Sequence, residues 1–189
     1  MPMESLNKTR IIAPIAQLGV VQRAQALSRS GGQPGDQLLL VAMGGIDYRL
    51  PMEEWPTLPG VRWLVPQAWG VRRDDVSALE TMGMSFSDLL ASCDVVLTKP
   101  GYGMFAEAAY AGVPVLYVSR GEWPEQPYLV EWLKQHGVCL EVTQEALDQG
   151  DLRKTLQRAG AARRAPVSLG SGVHEAADIL QSILMRTTQ

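Results

Sequence analysis

The sequence has few of the residues and patterns that define specialised protein classes. Its 189 residues include two cysteines and two histidines, with no CxxC pair and no spacing typical of metal ligands, so neither a zinc site nor a disulfide framework is predicted. No apolar run approaches the ~18 to 20 residues of a transmembrane helix, and the N-terminus lacks the apolar core of a signal peptide. We therefore expect a cytoplasmic protein with reduced cysteines and no integral membrane span.

Common catalytic motifs and a strong charge are absent as well. The chain has no GxSxG nucleophile elbow and no P-loop lysine motif. A net charge of −3 gives no electrostatic basis for binding nucleic acid or an anionic membrane. With 46% hydrophobic and 20% charged residues, the composition is that of an ordinary globular protein, and the length suits one domain with an appendage.

Apolar strands that alternate with helices indicate the fold class. Buried strands are predicted at residues 37–43, 61–65, 94–98, 113–118 and 138–142. Helices are predicted at residues 85–92, 104–111 and 126–136, with two more after residue 144. Strands that are apolar throughout are typical of a parallel sheet that is covered on both faces. The prediction is therefore an α/β protein with a doubly wound parallel sheet.

The two ends of the chain differ from this central part. Residues 1–35 contain a strand candidate at 10–15, a helix candidate at 20–30 and the turn-rich sequence SGGQPGD, and we interpret them as a linker. Residues 36–165 form the predicted domain. Residues 166–189 are predicted to contain a C-terminal helix, at 173–185, that packs back on the domain.

The sequence Lys99-Pro100-Gly101-Tyr102-Gly103 has the strongest signal for a binding site. It joins a predicted strand to a helix, and ligands of parallel sheets bind at the carboxyl ends of the strands. The start of a helix offers free N–H groups and the positive end of its dipole, which together favour an anion such as a phosphate. Glu107, on the same helix, could accept hydrogen bonds from a ribose diol. A tight strand-to-helix turn with a dipole-complementing glutamate explains the same residues.

Two other loops follow predicted strands. Gly44 and Gly45 end the first main strand, where small residues let backbone amides approach a ligand, although a plain turn has the same sequence. Residues 120–126, RGEWPEQ, combine polar side chains with an aromatic ring and suit a polar ligand such as a sugar, although solvated turns have a similar composition.

The run SFSDLLASCDVVLTKPGYGMFAEAAYAGVPVLYVSRGEWPEQPYLVEWLKQHG resembles the C-terminal donor-binding domain of GT-B glycosyltransferases of the family 28 group, which includes a UDP-N-acetylglucosamine transferase. It is also similar to the glycosyltransferase-type domain of plant arabinose kinases. The resemblance covers residues 85–137. It implies the Rossmann-like half of a GT-B fold, which binds a nucleotide sugar, expected to be a UDP-sugar, for hexosyl or N-acetylhexosaminyl transfer with no metal or other cofactor.

The resemblance also implies roles for individual residues. Glu107 is assigned to the ribose hydroxyls, and the amides of Gly103, Met104 and Phe105 to the diphosphate. The residues assigned to the nucleotide are Gly44, Gly45, Met84, Lys99, Gly101, Tyr102, Gly103, Met104, Phe105 and Glu107, and those assigned to the donor sugar are Arg120, Glu125 and Gln126. No catalytic residue is assigned.

The sequence departs from the family in two ways. Tyr102 and Met104 stand where the peptidoglycan members have a small residue and a threonine, and Val130 stands where they have an asparagine, so the sugar or the acceptor is expected to differ. The family's N-terminal domain, which binds the acceptor and usually supplies the base, needs far more than residues 1–35, which resemble its remnant. We expect an acceptor-binding partner domain or a homo-oligomer.

Two other functions remain open from the sequence. A lone donor domain could hold a nucleotide sugar without turnover, as a binding module. Alternatively, Gly101, Gly103 and Ala106 fit the GxGxxA pattern of NAD(P)-dependent oxidoreductases, with Glu122 about 20 residues further on.

Overall fold

A six-stranded parallel sheet forms the centre of the protein. The computed structural model describes residues 9–44, 48–162, 165–166, 170 and 172–187. The strands are β1 (Gln37–Ala42), β2 (Val61–Val65), β3 (Val76–Ala78), β4 (Val95–Thr98), β5 (Val115–Tyr117) and β6 (Cys139–Glu141). They lie in the order β3-β2-β1-β4-β5-β6, and every pairing is parallel. The predicted doubly wound α/β fold class is confirmed.

Helices cover both faces of this sheet. The described helices are α1 (Arg23–Arg29), α2 (Phe86–Ser92), α3 (Tyr102–Ala111), α4 (Gln126–His136), α5 (Gln144–Gln149), α6 (Arg153–Ala162) and α7 (Gly172–Thr187). Leu38 and Leu40 of β1 pack in one core with α1 to α4. Leu39 and Val41 point the other way, into a core with α5, α6 and residues 50–58. Because successive side chains of a strand alternate between faces, a strand that is apolar throughout supplies both cores.

Local signals set several helix boundaries. The Ser85 hydroxyl accepts a hydrogen bond of 3.1 Å from the amide of Asp88 and caps α2 as predicted. α3 ends at Gly112, whose φ of 66° lies in the left-handed region that glycine adopts without strain. α4 has the predicted bounds, with a proline in its first turn and Gly137 after its last residue.

Three elements differ from the sequence prediction. Residues 10–15 form no strand, because they run across helices rather than beside a strand. The strand β3 was not predicted, since three half-buried residues at a sheet edge give almost no pattern. After residue 144 the described part of the chain contains three helices rather than two, because Gly150, with φ of 68°, ends α5 and lets α6 begin separately.

The topology opens a crevice between β1 and β4. The chain continues from β1 to β2 on one side and from β4 to β5 on the other, so the loops after these two adjacent strands diverge. This crossover point is where ligands of doubly wound sheets bind. Among the described helices none combines the length and the apolarity needed to cross a bilayer. The predicted domain limits at residues 35/36 and 165/166 stay predictions.

Candidate nucleotide-sugar site

A cleft of about 440 Å³ lies at the carboxyl ends of β1 and β4. Four residues that the sequence predicted for the site line it: Gly44 after β1, and Gly103, Met104 and Glu107 on α3. Its other walls are mostly apolar or aromatic and come from several loops: Val41, Ala42, Met43, Tyr48, Pro66, Trp69, Leu79 and Phe86. A second cleft of about 410 Å³ lies at the amino ends of β1, β2 and β3, where a parallel sheet does not place its ligand.

The start of α3 presents backbone donors to this cleft. Gly101 is the N-cap and has no side chain to cap the helix. The first amide bonded within the helix is that of Phe105, which donates to the carbonyl oxygen of Gly101 at 3.0 Å. The amides of Tyr102, Gly103 and Met104 have no acceptor among the described residues, as expected for the first turn of a helix. Phe105 thus differs from the prediction, because its amide is engaged within α3 and its side chain is fully buried.

The two described glycines that line the cleft have different physical roles. Gly44 has φ of 64°, so the backbone favours glycine there, whereas a Cβ atom would make only an ordinary contact, 3.4 Å from Cε of Lys99. Gly103 has ordinary backbone angles, and a Cβ atom there would meet nothing within 4 Å. The described protein therefore gives no steric reason for glycine at 103. Gly101, which precedes the helix, is extended, with φ of −164°, a conformation that any residue adopts. Gly45 lies outside the described residues.

Two cations lie beside the start of α3. Burial and, to a smaller extent, the nearby Arg120 lower the pKa of Lys99. The Arg120 guanidinium lies 3.5 Å from the carbonyl oxygen of Pro100 and stacks over the Trp123 ring at 4.2 Å. Neither cation forms an ion pair within the described part of the chain. Together with the free amides of α3, they give this corner an unbalanced positive charge that favours an anion.

Glu107 is the only carboxylate among the described residues that line this cleft. Its side chain is half-buried, and burial raises the pKa of Glu107, whereas a hydrogen bond from the backbone amide of Gln17 opposes this rise. The Gln17 nitrogen lies 3.4 Å from Oε1 of Glu107. A carboxylate with a second oxygen free can accept bonds from ligand hydroxyl groups.

The residues predicted for the donor sugar lie in the loop between β5 and α4. The Gln126 carboxamide accepts from the backbone amide of Arg120 at 2.8 Å and donates to the Ser119 hydroxyl at 2.7 Å, so it also holds the loop in shape. Glu125 is exposed at the start of α4. Met84 packs against the core and is not among the residues that line the cleft, and Tyr102 is exposed at the rim beside α3.

Sequence reasoning did not find several residues of the site. Tyr48, Trp69 and Phe86 line the cleft but come from three separate parts of the chain with no shared motif, Phe86 being the first residue of α2, so only the fold brings them together. Gln17 lies in the segment interpreted as a linker, and its contribution is a backbone amide, which no side-chain pattern reveals. Within the described residues no cluster of three or more histidine, cysteine or acidic side chains could hold a metal ion.

Comparisons with known proteins identify the fold. No protein-family model matches the chain. The chain is 32% identical over 94 residues to L-arabinokinase of Arabidopsis thaliana, a match that spans 50% of this chain and 9% of that protein. Its structure is similar to that of CalG4, the calicheamicin glycosyltransferase, with a TM-score of 0.55 and 20% identity over 83% of this chain and 46% of that one. It is also similar to the glycosyltransferase of kitacinnamycin, with a TM-score of 0.51 and 19% identity over 79% and 44% of the two chains.

These matches agree with the resemblance that the sequence showed. The chain spans less than half the length of both solved glycosyltransferases and a small part of the arabinokinase. Because the structural identities are 20% and 19%, they establish the fold alone. The chain has the fold of one Rossmann-like half of a GT-B glycosyltransferase.

Proposed function

We propose that this chain binds a nucleotide sugar, expected to be a UDP-sugar, as the donor half of a glycosyltransferase. The observation that carries the proposal is the placement of Glu107 on the same helix whose free N-terminal amides and neighbouring Lys99 form an anion site. Glu107 lies four residues after Gly103, which is about 6 Å along a helix axis. A nucleoside diphosphate offers a matching pair of groups, since its diphosphate and its ribose diol are close neighbours.

The diphosphate would bind at the first turn of α3. The amides of Gly103 and Met104 point at a ligand there without reorganising, and Lys99 and Arg120 add two positive charges. Such fixed donors stabilise charge that develops on a leaving group. The open space at Gly103 lets phosphate oxygens approach the backbone closely.

The transfer would be a direct displacement at the anomeric carbon. The bond between this carbon and the diphosphate oxygen breaks, and its electron pair stays on the diphosphate. The acceptor hydroxyl oxygen forms the new bond and releases its proton to a base, which we assign to the acceptor-binding half of the enzyme. The chain's own contribution to this step is the stabilisation of the leaving diphosphate.

An acceptor-binding domain is the partner that this function requires. Exposed apolar side chains lie near the rim of the cleft, on Phe86 and on the N-terminal segment at Ile15, Leu18 and Val20. Because they adjoin the cleft and the chain spans less than half of the two solved glycosyltransferases, we assign this face to an acceptor-binding domain. We expect sedimentation of the isolated chain to show a monomer. A stable dimer that the substitution Val20→Glu dissociates would contradict this assignment and would show that the face binds a second copy of the chain.

Calorimetry with UDP, TDP and GDP, their sugars and NADH tests the proposed ligand. We expect UDP or a UDP-sugar to bind, and Glu107→Ala to weaken binding by about 1 to 3 kcal/mol, because hydrogen bonds to a charged group are lost. Glu131→Ala is the matched control, since Glu131 is an exposed glutamate on α4 that pairs with Gln135. Tight NADH binding with no effect of UDP would overturn the proposal.

Turnover separates an enzyme half from a binding module. A donor half should transfer the sugar once an acceptor-binding domain and an acceptor alcohol are supplied. Donor binding without transfer or hydrolysis, in the presence of that domain, would favour the non-catalytic module.

A further inference from the structure

Residues 13–22 form a strap across three helices. Five of the strap's backbone N–H groups donate to side chains: Ala13 to Glu175 at 3.0 Å, Ile15 to Tyr102 at 3.2 Å, Gln17 to Glu107 at 3.4 Å, Val20 to Asp88 at 2.6 Å and Gln22 to Ser92 at 2.8 Å. None of these N–H groups donates to a backbone acceptor in the described part of the chain. The strap is therefore held by side chains of α7, α3 and α2 and not by a strand partner.

Only one of these contacts reaches the candidate site. Of the five acceptors, Glu107 alone lines the cleft. The Gln17 amide contacts Oε1 of Glu107, so Oε2 stays available to a ligand. A carboxylate has about four acceptor positions, so one backbone donor does not exhaust it.

We propose that the backbone amide of Gln17 is a positioning group, which holds the Glu107 carboxylate in the orientation that accepts the ribose hydroxyls of a nucleotide. This inference rests on the proposed function. A backbone donor that is bonded to a ligand-binding carboxylate restricts the rotation of the carboxylate and orients its free oxygen. Hydrogen-bond partners orient the side chains that bind metal ions in the same way. Truncating the Gln17 side chain leaves the positioning group intact, because the donor is the main chain.

The electrostatics of Glu107 agree with this role. Burial raises the pKa of Glu107 and favours the neutral acid, which accepts hydrogen bonds less well. The Gln17 amide acts against burial and lowers the pKa of Glu107. The hydrogen bond from the strap therefore favours the ionised carboxylate, against the effect of burial.

The strap also accounts for a departure from the family pattern. Tyr102 replaces a small residue at the start of α3, and its hydroxyl accepts the Ile15 amide. The hydroxyl of Tyr110, two turns later, has two acceptors for its single proton, the carbonyl oxygens of Gly170 at 2.6 Å and of Pro14 at 3.2 Å. Both tyrosines contact the strap on the N-terminal side of Gln17, and Asp88 and Ser92 hold it on the other side through Val20 and Gln22. These contacts together fix where the Gln17 amide meets Glu107.

Other ionisable groups near Glu107 must be considered in a pH experiment. The strap itself carries none. Those on the cleft wall, beside it, or on the helices that pack against α3 are Tyr48, Asp88, Lys99, Tyr102, Tyr110, Tyr128, Glu131, Lys134, His136 and Glu175. None of the cations among them forms an ion pair with Glu107 in the described structure.

Proline substitution tests the amide directly. Gln17→Pro removes the N–H group, whereas Gln17→Ala keeps it. Leu18→Pro is a second control, because it introduces a proline next to Gln17, and the N–H group of Leu18 has no acceptor in the described structure. We expect Gln17→Pro to weaken UDP binding about 3- to 10-fold, as for one lost hydrogen bond, and the two controls to bind like the wild type. The acid limb of the UDP affinity profile should move to higher pH in Gln17→Pro, because Glu107 then protonates more readily.

A double-mutant cycle separates positioning from a general loss of structure. In a Glu107→Ala background, which removes the acceptor of the Gln17 amide, Gln17→Pro should have no further effect on UDP affinity, whereas an equal loss in both backgrounds would overturn the inference. Unchanged affinity and pH profile in Gln17→Pro, with normal wild-type binding, would overturn it as well and leave the proposed function intact.

Measurements without nucleotide keep the two proposals distinguishable. In the ligand-free wild type, the amide resonance of Gln17 should titrate with Glu107, and this titration should vanish in Glu107→Gln. A Gln17 resonance that ignores Glu107 would overturn the inference even if Gln17→Pro does not fold. A wild-type protein that binds no nucleotide would instead overturn the proposed function, whatever the Gln17 resonance does.

Discussion

Gly103 shows at the scale of one residue how a missing side chain points to a ligand. Glycine in a helix costs up to about 1 kcal/mol relative to alanine, and nothing within 4 Å in the described structure requires it at this position. Since Gly103 lines the cleft at the free end of α3, the space is best explained by a ligand that approaches the backbone there.

Gly103→Ala should therefore separate stability from binding. We expect the free energy of unfolding to stay equal or to rise by up to about 1 kcal/mol. UDP affinity should fall about 10-fold or more, because the methyl group keeps a charged phosphate from a backbone donor. Urea unfolding and calorimetry measure the two effects, with Gly160→Ala in α6 as a control helix glycine remote from the cleft. Undiminished UDP binding in Gly103→Ala would contradict the close approach.

Glu107 differs from Gly103, because its half-buried charge lowers the stability of the folded state at neutral pH. Its pKa in the folded protein lies above the ordinary glutamate value of 4.5. As the pH rises, the unfolded chain loses this proton first, so the folded state loses stability between 4.5 and the higher folded pKa. Above that window the cost of the half-buried charge is complete.

Glu107→Gln should accordingly stabilise the fold at neutral pH while it weakens UDP binding. The stability difference between the variant and the wild type should shrink as the pH falls towards 4.5. Thermal unfolding followed from pH 7 to pH 4, on the ordinary scale of glutamate ionisation, measures this difference. A constant difference across that range would assign the effect to packing instead of charge.

At the scale of elements, α3 joins the fold to the site. The Gly-rich sequence predicted a helix start near residue 104, and the structure begins the helix at Tyr102. This shift engages the Phe105 amide in the first hydrogen bond of the helix and leaves three earlier amides free. The strap, in contrast, is an element only because α2, α3 and α7 supply acceptors for it.

The strap should loosen when an acceptor is removed. Asp88→Ala deletes the carboxylate that binds the Val20 amide at 2.6 Å, so we expect faster hydrogen exchange at Val20 and its neighbours in the strap. Glu131→Ala should leave this exchange unchanged. If nucleotide binding and strap docking are coupled through Glu107, saturating UDP should slow exchange at Gln17, since coupling between two sites is reciprocal. Equal exchange in Asp88→Ala and the wild type would show that other contacts hold the strap.

At the scale of the whole molecule, the order of the strands decides where chemistry can occur. The crossover between β1 and β4 brings Gly44 and Glu107, which are far apart in the sequence, to one cleft. Under the proposed function, helix amides and two cations would take the place of a divalent metal beside the phosphates.

Nucleotide affinity should therefore depend little on divalent metal. We expect UDP to bind with the same affinity, within about twofold, in excess chelator and in millimolar Mg²⁺, because fixed amides and cations already supply the positive charge. Calorimetry in the two buffers measures this. An absolute requirement for metal would contradict binding by the start of α3.

Much of this protein could be predicted from local sequence patterns. Strands such as Gln37–Ala42, apolar at every position after Gln37, indicate a parallel sheet covered on both faces, because only burial on two sides favours such a run. Helix ends at Gly112 and Gly137 follow from glycine alone. The anion site that we propose at the start of α3 is a prediction of the same local kind, since its glycines and free amides lie within a few residues of each other.

Other features depend on contacts between distant parts of the chain. The aromatic residues Tyr48, Trp69 and Phe86, which line the cleft, come from three separate parts of the chain, so no spacing along the sequence links them. The strap is placed by side chains up to 162 residues away. The sequence by itself determined the layers and the presence of Glu107 near the start of α3, because these follow from nearest neighbours and periodicity. Only the tertiary structure decided that Gln17 meets Glu107, since a backbone amide has no residue type and gains its role from what folds against it.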